Sequence, residues 1–415
     1  MISTWTQRQI DLVDKWINEF NCIGTLVAYT SWGKSSGFAI PCITRVYPKS
    51  LIIVVPSIKL KEDWEYKLLF NKLVGEVIVI NTAIKTKYKC ELLVIDECHR
   101  VGAETFKNVF DTIEYEKLLC LTATIERQDG NHDLILEKAP LIDNVTLEEG
   151  LKMGWVDPFE VIKIPIELTN DESIQLNKLN EEYETCKKTL GGKNPMKQAE
   201  FYCKYVDLRK WCVGKLSNKV FFLKKLESEL GKERLDKLFD KYWTKPDKTH
   251  PYYLKARAAI KFYNIVAKRK DLLYNAQNKL SKTLELIEQY KDQYKFVFSQ
   301  RIEFLEELSK LLPSDEHRLY HSKMKKKDKS DSFDWFNDGR TKCKTLLSVK
   351  SLIEGTDIPK LSVGVFTSYT SSQIDAVQGV GRILRKYKNK RAVIIYLYVP
   401  LTQEQVWLDK LKLNN

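Results

Sequence analysis

The residues Asp96-Glu97, followed by Cys98-His99, close the apolar run Leu92-Leu93-Val94-Ile95. Adjacent carboxylates at the carboxyl end of a buried strand are costly unless a cation sits beside them. In nucleotide-hydrolysing α/β folds that cation is Mg²⁺: the first acid holds the metal and the second polarises the attacking water. This pattern predicts Asp96 as a metal ligand and Glu97 as the base. Such a site also needs a phosphate-binding loop upstream and arginines downstream.

The loop candidate is Ala28-Tyr29-Thr30-Ser31-Trp32-Gly33-Lys34-Ser35, which follows a predicted strand and should open a helix. Gly33 would let backbone amides approach phosphate oxygens, Lys34 would meet the β and γ phosphates, and Ser35 would ligate Mg²⁺, with Ser36 beside it in the same turn. Trp32 is bulky for such a loop, and the expectation is that its indole is presented outward. By itself Gly-Lys-Ser also describes an ordinary loop-to-helix turn. The acidic pair after a later strand is what favours the nucleotide reading.

Short apolar runs alternate with longer amphipathic stretches, the pattern of parallel sheets flanked by helices. Strands are predicted at 25–29, 51–55, 77–81, 92–95 and 118–121, and a second set at 295–299, 345–349, 362–367 and 392–399. Between the sets, from about Asp171 to Ile287, the periodicity is helical. The expected architecture is α/β: two parallel-sheet lobes in tandem with a mainly helical insertion. The predicted divisions are 1–155, an ATP-binding lobe; 156–290, a crossover strand and the insertion; and 291–415, a second lobe.

The chain of 415 residues carries 68 Lys plus Arg against 55 Asp plus Glu, a net charge of +13 that favours polyanionic partners. Nine cysteines, an odd number without a C-x-x-C pair, argue against a disulfide scaffold and a zinc site and fit a reducing cytoplasm. No signal-peptide pattern opens the chain and no apolar run reaches membrane-spanning length, so no membrane partner is expected.

Taken in order, the motifs resemble superfamily 2 helicases, in the branch that includes XPB and the phage helicase UvsW. Gln9, in Thr6-Gln7-Arg8-Gln9, stands where that family reads adenine. Val54-Val55-Pro56-Ser57, with Leu60 and Trp64, resembles the family's "VVPT…L…QW" element, and Asn81-Thr82 a second phosphate-touching turn. The resemblance implies nucleic-acid contacts for Pro56, Ser57 and Thr82. Leu121-Thr122-Ala123-Thr124-Ile125-Glu126-Arg127-Gln128-Asp129-Gly130 is similar to "LTATPERxDG", with Ile125 in place of proline. It implies that Thr122 and Thr124, with His99, couple the nucleotide to the nucleic-acid face. Met153-Gly154-Trp155-Val156-Asp157-Pro158 is similar to the passage into the second lobe.

In that lobe, Lys295-Phe296-Val297-Phe298-Ser299-Gln300 resembles the strand and turn that begin the DNA contacts, here Ser299 and Gln300. Ser348-Val349-Lys350 through Gly355-Thr356-Asp357-Ile358-Pro359 resembles "ATxxxxEGxDxP". This assigns Ser348 and Lys350 to nucleic acid, and Gly355 and Asp357 to the nucleotide. Gln378-Gly379-Val380-Gly381-Arg382-Ile383-Leu384-Arg385 matches "QxxGRxxR". By resemblance Arg382 and Arg385 are arginine fingers and Gln378 places water or γ-phosphate. Guanidinium forks suit this because they spread charge over several phosphoryl oxygens.

The resemblance thus implies two RecA-like lobes, a DECH-box hydrolase using ATP and Mg²⁺, and a DNA helicase or translocase. Its substrates would be forked or branched DNA, with branch migration, fork regression or R-loop removal as activities. Movement would be 3′→5′, independent of sequence, by a monomer in the cytoplasm. The setting would be replication, recombination or repair, in the host cytoplasm if the source is a phage. An RNA–DNA hybrid is a further partner. The alternatives are a restriction-type motor subunit, an RNA helicase, and a nucleic-acid-binding protein with impaired ATPase.

The insertion is basic and aromatic. From Lys241 to Lys270 there are nine basic residues against one acid, Asp247, interleaved with Tyr242, Trp243, Tyr252, Tyr253, Phe262 and Tyr263. Phe201-Tyr202-Cys203-Lys204-Tyr205 and Arg209-Lys210-Trp211 repeat the theme. Such rings could stack on unpaired bases, or they could be core stripes of antiparallel helices whose lysines face water. Cys98 reads as a small buried filler. His99 is either a bridge from the nucleotide site to Gln378 or the threonine loop, or a helix-start residue.

Overall fold

The computed structural model describes residues 4–100, 108–123, 133–156, 158–192, 194–200, 202–203, 251–338, 342–349, 361–369 and 391–410. It contains two six-stranded sheets whose ladders all run parallel.

The first sheet has the order β3-β2-β4-β5-β1-β6. Its strands are β1 (Ile23–Ala28), β2 (Leu51–Val55), β3 (Glu76–Val79), β4 (Tyr88–Asp96), β5 (Ile113–Thr122) and β6 (Leu141–Val145). In β2 all five residues are buried. Helices must therefore cover both faces of this strand, which is why it reads as a continuous apolar run. The predicted strand at 77–81 stops at Val79, because Ile80–Ala83 turns into a single helical turn.

The second sheet has the order β7-β12-β11-β8-β10-β9. Its strands are β7 (Phe159–Pro165), β8 (Lys295–Phe298), β9 (His317–Tyr320), β10 (Thr345–Ser348), β11 (Val363–Phe366) and β12 (Ala392–Tyr398). Strand β7, far ahead of the others in sequence, pairs along its whole length with β12. Two strands, β6 and β9, were absent from the sequence-based assignment, and β7 was expected only as a crossover strand without bounds. Each lies at a sheet edge, where half-exposed residues replace the continuous apolar run.

The described chain divides into one unit of Met1–Ile166 with Lys279–Asn415 and a second of Glu167–Asn278. The expected segment 156–290, a crossover strand and the insertion, is thus divided between the two units. Strand β7 and most of the helix Gln277–Gln289 belong with the sheets. In the helical unit, Asn170–Leu190 starts with a reciprocal cap: Thr169 Oγ1 accepts from Glu172 N, and the Glu172 carboxylate accepts from Thr169 N. This helix packs against Pro251–Tyr274 around Cys186, Leu190, Tyr202, Phe262 and Ile265.

The second lobe contains a wholly enclosed ion pair. Lys279 Nζ donates to both carboxylate oxygens of Glu404, at 2.6 and 2.9 Å, and neither side chain is exposed. Glu404 also accepts from Val399 N at 2.9 Å. Burial pushes the Glu404 carboxyl up and the Lys279 ammonium down, and their mutual attraction opposes both shifts. Removing one partner strands the other charge in the interior. Lys279→Ala should lower unfolding free energy by about 3–5 kcal/mol, with Lys279→Met/Glu404→Leu recovering most of that. Urea denaturation of the three proteins checks this, and an unperturbed Lys279→Ala would contradict it.

Candidate nucleotide-hydrolysis site

The loop after β1 turns at Ser31 (φ 78°) and Gly33 (φ 92°), both left-handed. A left-handed serine is unfavourable. Trp32 is fully buried, with its ring centroid 6.4 Å from that of Phe38. This corrects the expectation of an outward indole: the loop keeps a bulky residue by making it core. Residues Lys34–Ala39 then form a turn of π-helix continuous with the helix Ile40–Val46, where Ile40 N donates to Ser35 O. Widened turns of this kind recur where a helix serves a ligand. Lys34 Nζ donates to Ala28 O at 2.9 Å, holding its ammonium at the base of the loop.

Gln9, from the helix Thr4–Asn18, donates from Nε2 to Trp32 O at 2.8 Å. Its carboxamide lies against Gly37, where an added Cβ would fall 2.3 Å from Gln9 Nε2. Gly37 was not singled out from sequence. Its signal is a second glycine, four residues after the first, inside a helix start where glycine is otherwise a cost.

The acids stand at the carboxyl end of β4, and β5 alone lies between β4 and β1 in the sheet. Asp96 is largely buried, and Trp64 Nε1 donates to its Oδ2 at 2.9 Å. Burial and the neighbouring Glu97 push the Asp96 carboxyl up, while the Trp64 hydrogen bond, Lys34 and Lys67 pull it back. Glu97 sits at φ 51°, a left-handed conformation that non-glycine residues keep mainly at functional turns. Its Oε2 is buried without a hydrogen bond, 3.4 Å from His99 Nδ1.

His99 is buried, and its Nδ1 lies 3.1 Å from Thr122 Oγ1, at the end of β5. Cys98 is fully buried, and burial pushes its thiol well up, as suits a filler rather than a nucleophile. Lys67 Nζ, also outside the sequence-based assignment, donates to Ser35 Oγ at 2.9 Å and pairs with Asp63.

The expected nucleic-acid residues divide by exposure. Pro56 and Ser57 are half-buried at the start of the helix Ile58–Phe70, where Ser57 Oγ accepts from Leu60 N at 3.3 Å. Thr82 is exposed. Ser299 and Ser348, also assigned to nucleic acid, are fully buried. Ser348 ends β10 and Ser299 directly follows β8, and their hydroxyls turn to local partners: Ser299 Oγ accepts from Arg301 N, and Ser348 Oγ donates to Val349 O. Gln300 N donates to Ser368 Oγ at 2.8 Å, bringing in a serine that the sequence analysis passed over. Ser36 is exposed in the π-helical turn. Thr124, Lys350, Gly355, Asp357, Gln378, Arg382 and Arg385 lie outside the described residues.

In the helical unit, Tyr202 and Phe262 are buried in its core, whereas Arg257, Lys261, Lys268 and Lys270 are exposed. For these residues the packed-stripe alternative describes the structure. A groove of about 640 Å³ runs between its two long helices, where Lys178, Lys261 and Lys268 alternate with Glu172, Glu182 and Asp271. That balance of charge is unlike a phosphate track.

The residues fit a magnesium nucleotide. A hydroxyl and a carboxylate are hard oxygen ligands, magnesium needs only one or two such groups beside phosphates and water, and Glu97 Oε2, without a hydrogen bond among the described residues, keeps acceptor capacity for a water proton. Among the described residues no three of His, Cys, Asp and Glu gather as a metal cage. A phosphate loop and an acidic pair on one parallel sheet, followed by a second parallel-sheet lobe, define a nucleoside-triphosphate-dependent motor.

Two family models place the chain further. Residues 9–127 match "Type III restriction enzyme, res subunit", and residues 278–387 match "Helicase conserved C-terminal domain". The DNA 3′-5′ translocase XPB2 of Sulfurisphaera tokodaii is 25% identical over 411 residues, covering 93% of this chain and 80% of the relative. Two solved helicases share the fold. The Pyrococcus furiosus Hef helicase domain has a TM-score of 0.51 at 14% identity, covering 97% of this chain and 98% of that one. Saccharomyces cerevisiae Dbp5, bound to RNA and ADP BeF3, has 0.56 at 13%, covering 99% and 86%. The chain is an ATP-hydrolysing helicase of superfamily 2, with two RecA-like lobes.

Gly37→Ala should displace the Gln9 carboxamide and raise the KM for ATP roughly tenfold, about 1.4 kcal/mol, with little change in melting temperature. Steady-state ATPase titration checks this. An unaltered KM would show that Gln9 does not serve the nucleotide.

Proposed function

We propose that this helicase is a DNA translocase of the XPB/UvsW-like, DECH-box branch that moves 3′→5′ and remodels forked or branched DNA. The observation that carries the reading is the convergence of both halves of a hydrolytic site on one sheet. Lys67 touches Ser35 of the phosphate loop and acts electrostatically on Asp96 of the acidic pair. The DNA translocase relative and the net charge of +13 support DNA as the polyanion.

Within this reading Lys34 neutralises the transferring phosphates, and Ser35 and Asp96 would hold Mg²⁺, which would supply positive charge against the charge developing on the phosphates. Glu97 accepts the proton of the attacking water through its carboxylate. His99, against Thr122 Oγ1, passes the state of the acids to the threonine loop. Arg382 and Arg385 would supply guanidinium charge and Gln378 the placement of water, with Gly355 and Asp357 beside the nucleotide. Pro56, Ser57, Thr82, Gln300 and Lys350 would track one strand by its phosphates, which carries little sequence preference. The enzyme would work as a monomer in a reducing cytoplasm. Eight cysteines among the described residues are free, seven of them buried. A second reading, the motor of a restriction-type system, is favoured by the model matched over residues 9–127.

DNA-stimulated phosphate release should vanish in Lys34→Ala. In Glu97→Gln it should fall by about 10²–10⁴ with nucleotide binding kept. Unwinding of 3′-tailed forks and four-way junctions, but not 5′-tailed duplexes, is expected in a gel assay with ATP. Full turnover by Glu97→Gln would sink the catalytic assignment. Unwinding from 5′ tails alone would sink the polarity.

A further inference from the structure

The helix Ile58–Phe70 places two residues, three apart and therefore on one face, against both prospective metal ligands. Trp64 is fully buried and donates from Nε1 to Asp96 Oδ2 at 2.9 Å. Lys67 donates to Ser35 Oγ at 2.9 Å. The same ammonium pairs with Asp63 and lies 5.4 Å from the Trp64 ring centroid. Its side chain retains 20% exposure and that of Asp63 43%, so both can swing. Neither the phosphate-loop chemistry nor the acidic pair requires a lysine at this place.

We propose that Lys67 is a built-in counter-cation of the magnesium site, sharing Ser35 Oγ with the divalent ion and withdrawing to Asp63 when that ion binds. A serine hydroxyl has one proton and two acceptor lone pairs. A lysine and a divalent cation on the same oxygen repel each other across a few ångströms in a half-buried setting. Asp63, one turn earlier on the same helix, is already bonded to the ammonium and offers it a resting place away from Ser35. Trp64 keeps the Asp96 carboxylate oriented while the cations exchange. This helix begins at Ser57, so the exchange acts on the element that carries Pro56 and Ser57 at its start.

The proposal rests on Ser35 and Asp96 as metal ligands. Its test is a magnesium titration of the full chain with a fluorescent, non-hydrolysable ATP analogue, read as anisotropy. Lys67→Met should lower the Mg²⁺ concentration at half-saturation about three- to tenfold, because a competing charge is gone. Asp63→Asn, a change at a half-exposed position, should raise it by a similar factor by leaving Lys67 on Ser35. Lys67→Arg should stay close to the parent protein. An unchanged or raised Mg²⁺ requirement in Lys67→Met would overturn the proposal, as would a lowered one in Asp63→Asn. Ser35→Ala separates the two claims. If it leaves the Mg²⁺ requirement untouched, the ligand assignment itself fails. If it raises that requirement while Lys67→Met does not lower it, the Lys67 exchange alone fails.

Discussion

Two consecutive carboxylates at the mouth of a buried strand repel each other and lose hydration, so every neighbouring element has to answer for them. Trp64 contributes a hydrogen bond, and Lys34 and Lys67 contribute positive charge. The lobe's construction follows from this requirement. β4 brings the acids to the carboxyl edge, β1 brings the phosphate loop to the same edge, and the helix after β2 sends Trp64 and Lys67 between them. Ligands of open parallel sheets bind outside the carboxyl ends of the strands. Here the electrostatic need and the topological site coincide.

Much of this was legible in the residues because buried parallel strands leave an unmistakable apolar run. Leu51–Val55 was assigned with its observed bounds, and the acidic pair was placed at the end of its strand. What escaped has physical causes. Edge strands such as His317–Tyr320 pair on one side and need no continuous apolar face, so their sequence resembles a loop. Trp32 was read as too large for the inside of a phosphate loop, yet its ring, behind a left-handed serine, has a place in the core. Lys67 and Gly37 are invisible to motif spacing, since each matters through a partner distant in sequence: Ser35 for one and Gln9 for the other. Ser299 and Ser348 show the converse. A motif located the correct strand ends, but not which groups there face outward.

The helical unit separates two uses of aromatic and basic residues that composition alone leaves mixed. Tyr183 and Phe262 pack ring to ring at 5.0 Å inside it, and Arg269 stacks over Tyr183 at 4.5 Å, so part of the charge serves the unit's own packing. Lys261 is paired with Glu182. Arg257, Lys268 and Lys270 are exposed and add positive charge to the field around this unit.

Strand β7 has one further consequence, which concerns the order of synthesis. It leaves the ribosome before the helical unit, but its ladder partner β12 is made only after that unit and the other strands of the sheet. Strands β1 to β6 can pair as soon as they emerge, so the nucleotide-binding half can mature while translation continues. The other half must wait, with an unpaired edge exposed, until Ala392–Tyr398 is released. A stalled or prematurely ended polypeptide would therefore combine a finished phosphate-binding lobe with an adhesive, half-built sheet, a product suited to recognition by chaperones and proteases.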